Sequence, residues 1–331
     1  MSRSGNVVIT DFLDESEVES PILGAGVKVV VAGAQCEADL APLLAEADAL
    51  LLFHDIASVT DATFTRAPKL KAIVRAGVGY NNVDLVAAGR RGIGVCNVPD
   101  YGTEEVADHS IAMLLSLVRH LPDCDASMRR GEWDYRIALN TTRLRGKTLG
   151  LIGCGRIGAA TALRAKAFGL DVVFFDPYVP PGTEKALGIR RSLKLEPMLE
   201  QCHFLSLHCY LGDTSHKVIS AATLALLRPG AILINTARGP VVDQDALLDA
   251  LDSGRLYAAG LDVFEREPLD DDRLRNHPRV LLSPHSAFYS LEGFVELRSK
   301  AATEIARILD GEPPLNLVNG PQLQTPRLVI A

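Results

Sequence analysis

The sequence predicts an α/β protein built from two doubly wound parallel sheets, and three observations carry that prediction. The chain has 331 residues, more than one hydrophobic core ordinarily holds, so about two domains are expected. Short apolar runs alternate with helix-compatible segments, and this alternation occurs twice along the chain. The runs are apolar throughout rather than at every second residue, the pattern of strands covered on both faces by helices.

The first alternation occupies residues 6 to 100. Strands are predicted at "VVITDF", "VKVVVAGA", "ADALLLFHD", "LKAIVRAGVG" and "GIGVCNVP", with helices at "EADLAPLLAEA" and "NVDLVAAGRR". The segment "TEEVADHSIAMLLSLVRHLPDCDASMRRGEWD" follows. Thr103 suits an N-cap, Glu104 and Glu105 suit the positive end of the helix dipole, and apolar residues recur at helical spacing. One long, mostly apolar helix is expected there, crossing between domains and forming part of a subunit interface.

The second alternation begins at "KTLGLIGCGRIG" and continues through "LDVVFFDPY", "HFLSLHC", "GAILINTARG", "LYAAGLDVFE" and "RVLLSPHS". Helical stretches such as "AATALRAKAFG", "SAATLALLR" and "QDALLDALDSG" lie between them. Six strands with crossovers make a complete doubly wound sheet. The final amphipathic segment runs from a Ser290 cap to Gly311, ahead of Pro313 and Pro314. Its pattern alone does not assign it to either domain.

Composition narrows the function. Acidic residues exceed Lys and Arg by seven, and the basic residues are scattered, which argues against nucleic acid or an anionic membrane as partner. The N-terminal region reaches aspartate before any sizeable apolar stretch, and no apolar run approaches the ~20 residues that span a bilayer. A cytoplasmic location is therefore expected. Cys36, Cys96, Cys124, Cys154, Cys202 and Cys209 form no C-x-x-C pair, so neither a metal site nor a disulfide framework is expected. Cys209 stands apart because it follows a strand that could reach the active site.

The cofactor signal is "LGLIGCGRIGAAT", where an apolar strand leads into Gly153, Gly155 and Gly158 at the opening of a helix. Gly153 permits a tight turn, Gly155 lets the amides of Arg156 and Ile157 approach a pyrophosphate, and Gly158 allows close helix packing. The next strand delivers Asp176 about 20 residues further on, where a carboxylate accepts from ribose hydroxyls and repels a 2′-phosphate. NAD is expected in preference to NADP.

Three consecutive strands then end in a chemically capable side chain: Arg238, Glu267 and His285. Arg238 offers a planar fork for a carboxylate and an adjacent carbonyl oxygen. His285 suits proton transfer to that oxygen, while Glu267 suits orienting the imidazole and stabilising its cationic form. A 2-keto acid reduced to a 2-hydroxy acid is the chemistry that uses all three.

On "RAGVGYNNVD", "GCGRIG", "NTARGPVVD", "GLDVFEREP" and "SPHSAFYS", the chain resembles the D-isomer-specific 2-hydroxyacid dehydrogenases over nearly its full length. The family's catalytic Arg, Glu and His fall on Arg238, Glu267 and His285. Within the family, the stretch around the glycine loop and "HSAFYS" most resemble the C-terminal binding proteins, NAD-binding corepressors that retain dehydrogenase residues. That resemblance implies His54, Arg75 and Phe288 as substrate-pocket residues, with Phe288 standing where that branch has Trp. It further implies substrate-carboxylate binding by the amides of Val78 and Gly79. Cofactor contacts are implied at Val78, Cys209, Thr236, Ala237 and Asp262.

The fold expected is two Rossmann-like or flavodoxin-like doubly wound parallel-sheet domains with a cleft between them. The substrate domain would be discontinuous, 1–101 plus 290–331, around a cofactor domain at 102–289. Homodimers joined through the cofactor domain are the family's usual form. Tyr80, Tyr101, Phe288 and a partner's Trp133 would shape the pocket. Glu267, where the related formate dehydrogenases carry Gln, favours hydroxy-acid chemistry. Alternatives are an NAD(H)-sensing corepressor-like dimer with weak activity and a phosphite-type dehydrogenase.

Overall fold

The computed structural model describes residues 3 to 330. They form two compact units. One comprises the residues up to Gly102 together with those from Ser290 onward, and the other is Thr103–Tyr289.

The first unit is organised by five parallel strands: β1 (Gly5–Ile9), β2 (Val27–Val31), β3 (Ala49–Leu52), β4 (Ala72–Arg75) and β5 (Gly94–Asn97). They lie in the order β2-β1-β3-β4-β5, the flavodoxin-like doubly wound arrangement. Val8 pairs with Leu50 and Leu50 with Ile73, all in the buried centre of the sheet. Every residue of β3, β4 and β5 is buried, which is why these strands read as continuous apolar runs instead of alternating ones.

The helix Leu291–Leu309 packs on this unit and begins as its sequence suggests, with the Ser290 side chain accepting from the Gly293 amide at 2.8 Å. Its buried Arg298 is held to Glu19 through two bonds, Nε to Oε1 at 2.6 Å and Nη2 to Oε2 at 2.8 Å. Glu17 Oε1 lies 2.5 Å from Nη1, and the guanidinium sits 5.5 Å over the Phe294 ring.

One expected helix is not formed. The segment "EADLAPLLAEA" makes two short 3-10 turns, Glu37–Leu40 and Leu44–Glu46. Pro42 has no N–H to offer a helical bond, so one continuous helix across it would lose a rung.

The second unit carries β6 (Thr148–Ile152), β7 (Asp171–Phe175), β8 (Arg190–Arg191), β9 (Phe204–Leu207), β10 (Ala231–Asn235), β11 (Leu256–Leu261) and β12 (Val280–Leu282). The order β12-β11-β10-β9-β6-β7-β8 reverses direction at β6, the strand that enters the glycine loop, and ligands bind at such a switch point in doubly wound sheets. The sheet has seven strands where six were expected. The extra one is an edge strand of two arginines, too short and too charged to register as an apolar run.

The long helix expected from residue 103 is also interrupted. A helix spans Thr103–Val118, His120 takes a left-handed backbone (φ 54°), and a second helix spans Leu121–Arg129. Pro122 stands in the first turn of the second helix, where its missing N–H costs nothing, whereas inside a continuous helix it would remove a bond. No described helix is long and apolar enough to cross a membrane.

Candidate active site

The glycine loop follows β6 directly. Gly153 has φ 91°, and a Cβ there would lie 2.6 Å from the backbone of His208. Glycine is therefore required both by conformation and by space. A Cβ on Gly158 would approach Gly153 O to 2.3 Å, so the helix Arg156–Ala167 packs directly against the turn. Around Gly155 there is open space within 4 Å of a built Cβ. Gly155 is also the N-cap residue and supplies no side-chain bond to the helix, leaving the first helical amides available to an anion. These features fit a dinucleotide pyrophosphate.

Asp176, just beyond β7, joins the loop to the neighbouring turn. Its Oδ2 accepts the Cys154 amide at 2.8 Å and its Oδ1 accepts the Tyr178 amide at 2.8 Å. Next to it, the Tyr178 hydroxyl meets Thr214 Oγ1 at 2.8 Å and Tyr210 donates to Tyr178 at 3.2 Å. This wall was not foreseen, because its members are distant in sequence and exposed. Burial pushes the Cys209 thiol up to about 11, so Cys209 contributes a neutral thiol, with no nucleophile or metal ligand implied.

After β10 the Asn235 side chain shapes the turn that carries Arg238, accepting from the Ala237 amide and donating to Arg238 O, both at 3.0 Å. Thr236 points the other way. Ser110 donates to Val106 O, so the 2.7 Å contact between Thr236 and Ser110 is a bond donated by Thr236 toward the helix Thr103–Val118. The Thr236 hydroxyl hydrogen is thereby committed to that helix.

Glu267 and His285 meet. His285 Nδ1 lies 2.7 Å from Glu267 Oε2, and Glu267 Oε1 accepts the Phe264 amide at 2.9 Å. Burial raises the Glu267 carboxyl, but the His285 hydrogen bond and charge, the Phe264 amide and the Arg238 charge outweigh it and hold the group below the usual carboxylate range. An ionised carboxylate only accepts, so Nδ1 carries the proton in this contact. Phe288 stands edge-on to the imidazole at 6.4 Å between ring centres.

His285 has a left-handed backbone (φ 52°), which costs a non-glycine residue energy unless its surroundings enforce it. Asp262 does so. Its carbonyl accepts the His285 amide at 2.8 Å, and its buried carboxylate accepts the Ser283 hydroxyl at 2.5 Å and the amides of Ser286 and Ala287 at 2.9 and 3.0 Å. His109 Nε2 then reaches Ser283 Oγ at 2.9 Å. Since the Ser283 hydrogen is committed to Asp262, His109 is the donor. Asp262 was expected to contact the cofactor; its role in shaping the histidine loop rests largely on backbone amides, which leave no mark in a sequence.

The residues implied for the substrate carboxylate lie in the first unit. Arg75 ends β4 and donates to Ala76 O at 2.7 Å, with its guanidinium stacked so closely on Gly77 that a Cβ there would lie 1.5 Å from Nη1. Val78 is exposed and Gly79 half-buried, with Val78 O fixed by Asn97 Nδ2 at 2.7 Å. His54 follows β3, 5.0 Å from the Phe12 ring. Among the described residues no group of three or more His, Cys, Asp or Glu is arranged to hold a metal ion.

Fold and glycine loop define a dinucleotide-binding protein of the doubly wound class. The model of the D-isomer specific 2-hydroxyacid dehydrogenase NAD binding domain matches residues 111–287, more than half of the chain. The chain belongs to that family. It is 36% identical to a D-3-phosphoglycerate dehydrogenase of Methanocaldococcus jannaschii over 97% of its own length and 61% of that relative's. It thus spans about three fifths of the curated relative. Among solved structures, the TT0316 protein of Thermus thermophilus is 33% identical with a TM-score of 0.85, over 95% of this chain and 99% of that one. A D-lactate dehydrogenase of Aquifex aeolicus, solved with NAD and lactic acid, is 28% identical with a TM-score of 0.84, over 96% and 100% of the two chains.

Proposed function

We propose that this protein is an NAD-dependent D-2-hydroxyacid dehydrogenase that interconverts a small 2-keto acid and its 2-hydroxy acid, with His285 as acid and base. The single observation that carries this reading is the Glu267–His285 contact at 2.7 Å, on strand ends of the same sheet that bears the glycine loop.

The nicotinamide, when bound, supplies or accepts the hydride. Arg156 and Ile157 would hold the pyrophosphate through their amides, Asp176 the adenosine ribose, and Ala237 and Asp262, which follow β10 and β11, the nicotinamide end. Asp176 also favours NAD over NADP, since a 2′-phosphate would meet its carboxylate. In reduction, the His285 imidazolium, stabilised by Glu267, gives its Nε2 proton to the carbonyl oxygen as the hydride reaches the carbon, and the ring is left neutral. Arg238 polarises that oxygen and orients the acid. Val78, Gly79, Arg75 and His54 bind the carboxylate end.

A homodimer is part of the reading. Leu121, Met128, Trp133, Tyr135 and Leu139 are exposed apolar residues on one stretch following the helix Thr103–Val118, and apolar surface so concentrated is usual at subunit interfaces.

The test is NADH consumption with a panel of 2-keto acids, beside the same panel with NADPH and the solution mass of the protein. Turnover on at least one acid, slower with NADPH, is expected. A dimer that binds NADH and turns over none of them would favour a dinucleotide-sensing module instead.

A further inference from the structure

Two side chains grip the His54 turn from opposite sides, and neither belongs to the sets described above. Asp11 follows β1 and is fully buried. Its Oδ1 accepts the Phe53 amide at 2.8 Å and the Thr10 hydroxyl at 2.5 Å, while its Oδ2 accepts the amides of Asp55 and Ile56 at 2.8 and 3.2 Å. A carboxylate withdrawn from water needs such donors. Three of the four are backbone amides of the turn that carries His54.

From the other side, Asn82 Nδ2 donates to Phe53 O and to Ile56 O, each at 3.1 Å. The amides of the turn thus go to one side chain and its carbonyls to another. Phe12 closes the back, stacked on Phe53 at 5.5 Å and close to the His54 ring. The backbone of Asn82 is itself fixed, because its carbonyl accepts the Val59 amide at 2.7 Å. Asn82 also ends the loop that contains Val78 and Gly79. A single side-chain amide therefore ties the His54 turn to the loop proposed to hold the acid's carboxylate.

We propose that Asp11 and Asn82 are positioning residues for substrate, setting the register between the His54 imidazole and the Val78–Gly79 amides. Neither touches the acid. Both act by keeping two short loops in one arrangement before substrate arrives, so that binding does not have to order them. The proposal rests on the reading that this unit binds the carboxylate end of a 2-keto acid.

The probe is oxamate, an unreactive mimic of a 2-keto acid, titrated into the NADH-loaded protein. Asn82→Ala removes both carbonyl bonds, and Asp11→Asn keeps the size of the side chain while losing its charge and part of its acceptor capacity. In each variant oxamate should bind about ten-fold more weakly, the scale of one or two lost hydrogen bonds. NADH affinity should hold, and amide exchange should accelerate in residues 53–56 while the strand cores stay protected. A purely structural role would lower the melting temperature and leave oxamate affinity unchanged in the folded protein, and that result overturns the proposal. If Asp11→Asn does not fold, the half-buried Asn82 decides alone. His54→Ala and Arg75→Ala separate the two levels. Unchanged oxamate affinity in these variants sinks the reading of the unit as the carboxylate site, whereas weakened affinity in them alone sinks only the positioning role.

Discussion

Nδ1 of His285 and Oε2 of Glu267 are 2.7 Å apart, and the second oxygen of the same carboxylate accepts the amide of Phe264. The carboxylate is thereby fixed before it meets the imidazole, so the ring's orientation is set by backbone as well as by charge. The consequence is a histidine whose Nδ1 is committed to Glu267, presented on a left-handed residue that Asp262 holds in place.

Glu267→Gln keeps the shape and the Phe264 bond but removes the charge. Turnover is expected to fall by roughly ten-fold or more, part of the usual general acid–base contribution, with NADH affinity unchanged. Stability gives an independent check. The folded carboxyl lies below its ordinary value, so its ionisation favours the native state above about pH 4.3 and that advantage is lost as pH falls through the lower folded value. The stability gap between wild type and Glu267→Gln should therefore be widest near neutrality and close on acidification. A gap that widens in acid contradicts the assignment, and thermal melts across pH measure it.

Asp176 has two tasks, and Asp176→Ala should expose both. Removing the carboxylate frees the Cys154 amide and withdraws the ribose acceptor, so KM for NADH rises. Loss of repulsion toward a 2′-phosphate moves the NADPH to NADH ratio of kcat/KM up by about ten-fold. An unchanged ratio would remove Asp176 from cofactor selection.

In the first unit, Arg298 binds the fully buried Glu19 through two bonds. Arg298→Ala leaves that carboxylate without its counter-charge and should cost about 3–5 kcal/mol. Arg298→Met with Glu19→Leu restores an uncharged core and should recover most of the loss. Denaturant melts of the three proteins decide, and a mild effect of Arg298→Ala would show that water or a nearby group satisfies Glu19.

Much of this was legible in the sequence because the physics is local. The strands of both sheets read as apolar runs because helices cover both faces, and Gly153, Gly155, Gly158 and Asp176 read as a dinucleotide site because strand, turn, helix and acid follow in order. Where the reading failed, a proline or a short edge decided. Pro42 and Pro122 broke segments whose apolar spacing was helical, and Arg190–Arg191 pairs on β7 with no apolar signal at all. The roles of Asp262, Ser283 and His109 were illegible for another reason: Asp262 binds mainly backbone amides, Ser283 meets it from the next strand end, and His109 reaches Ser283 from 174 positions away.

The central claim, that Nε2 of His285 moves the proton, is tested most directly by His285→Gln. Steady-state reduction of the best 2-keto acid of the panel should fall by roughly 10² or more, with NADH binding as tight as in wild type. Turnover near the wild-type rate in a variant that still binds NADH would place the proton transfer elsewhere and contradict the account.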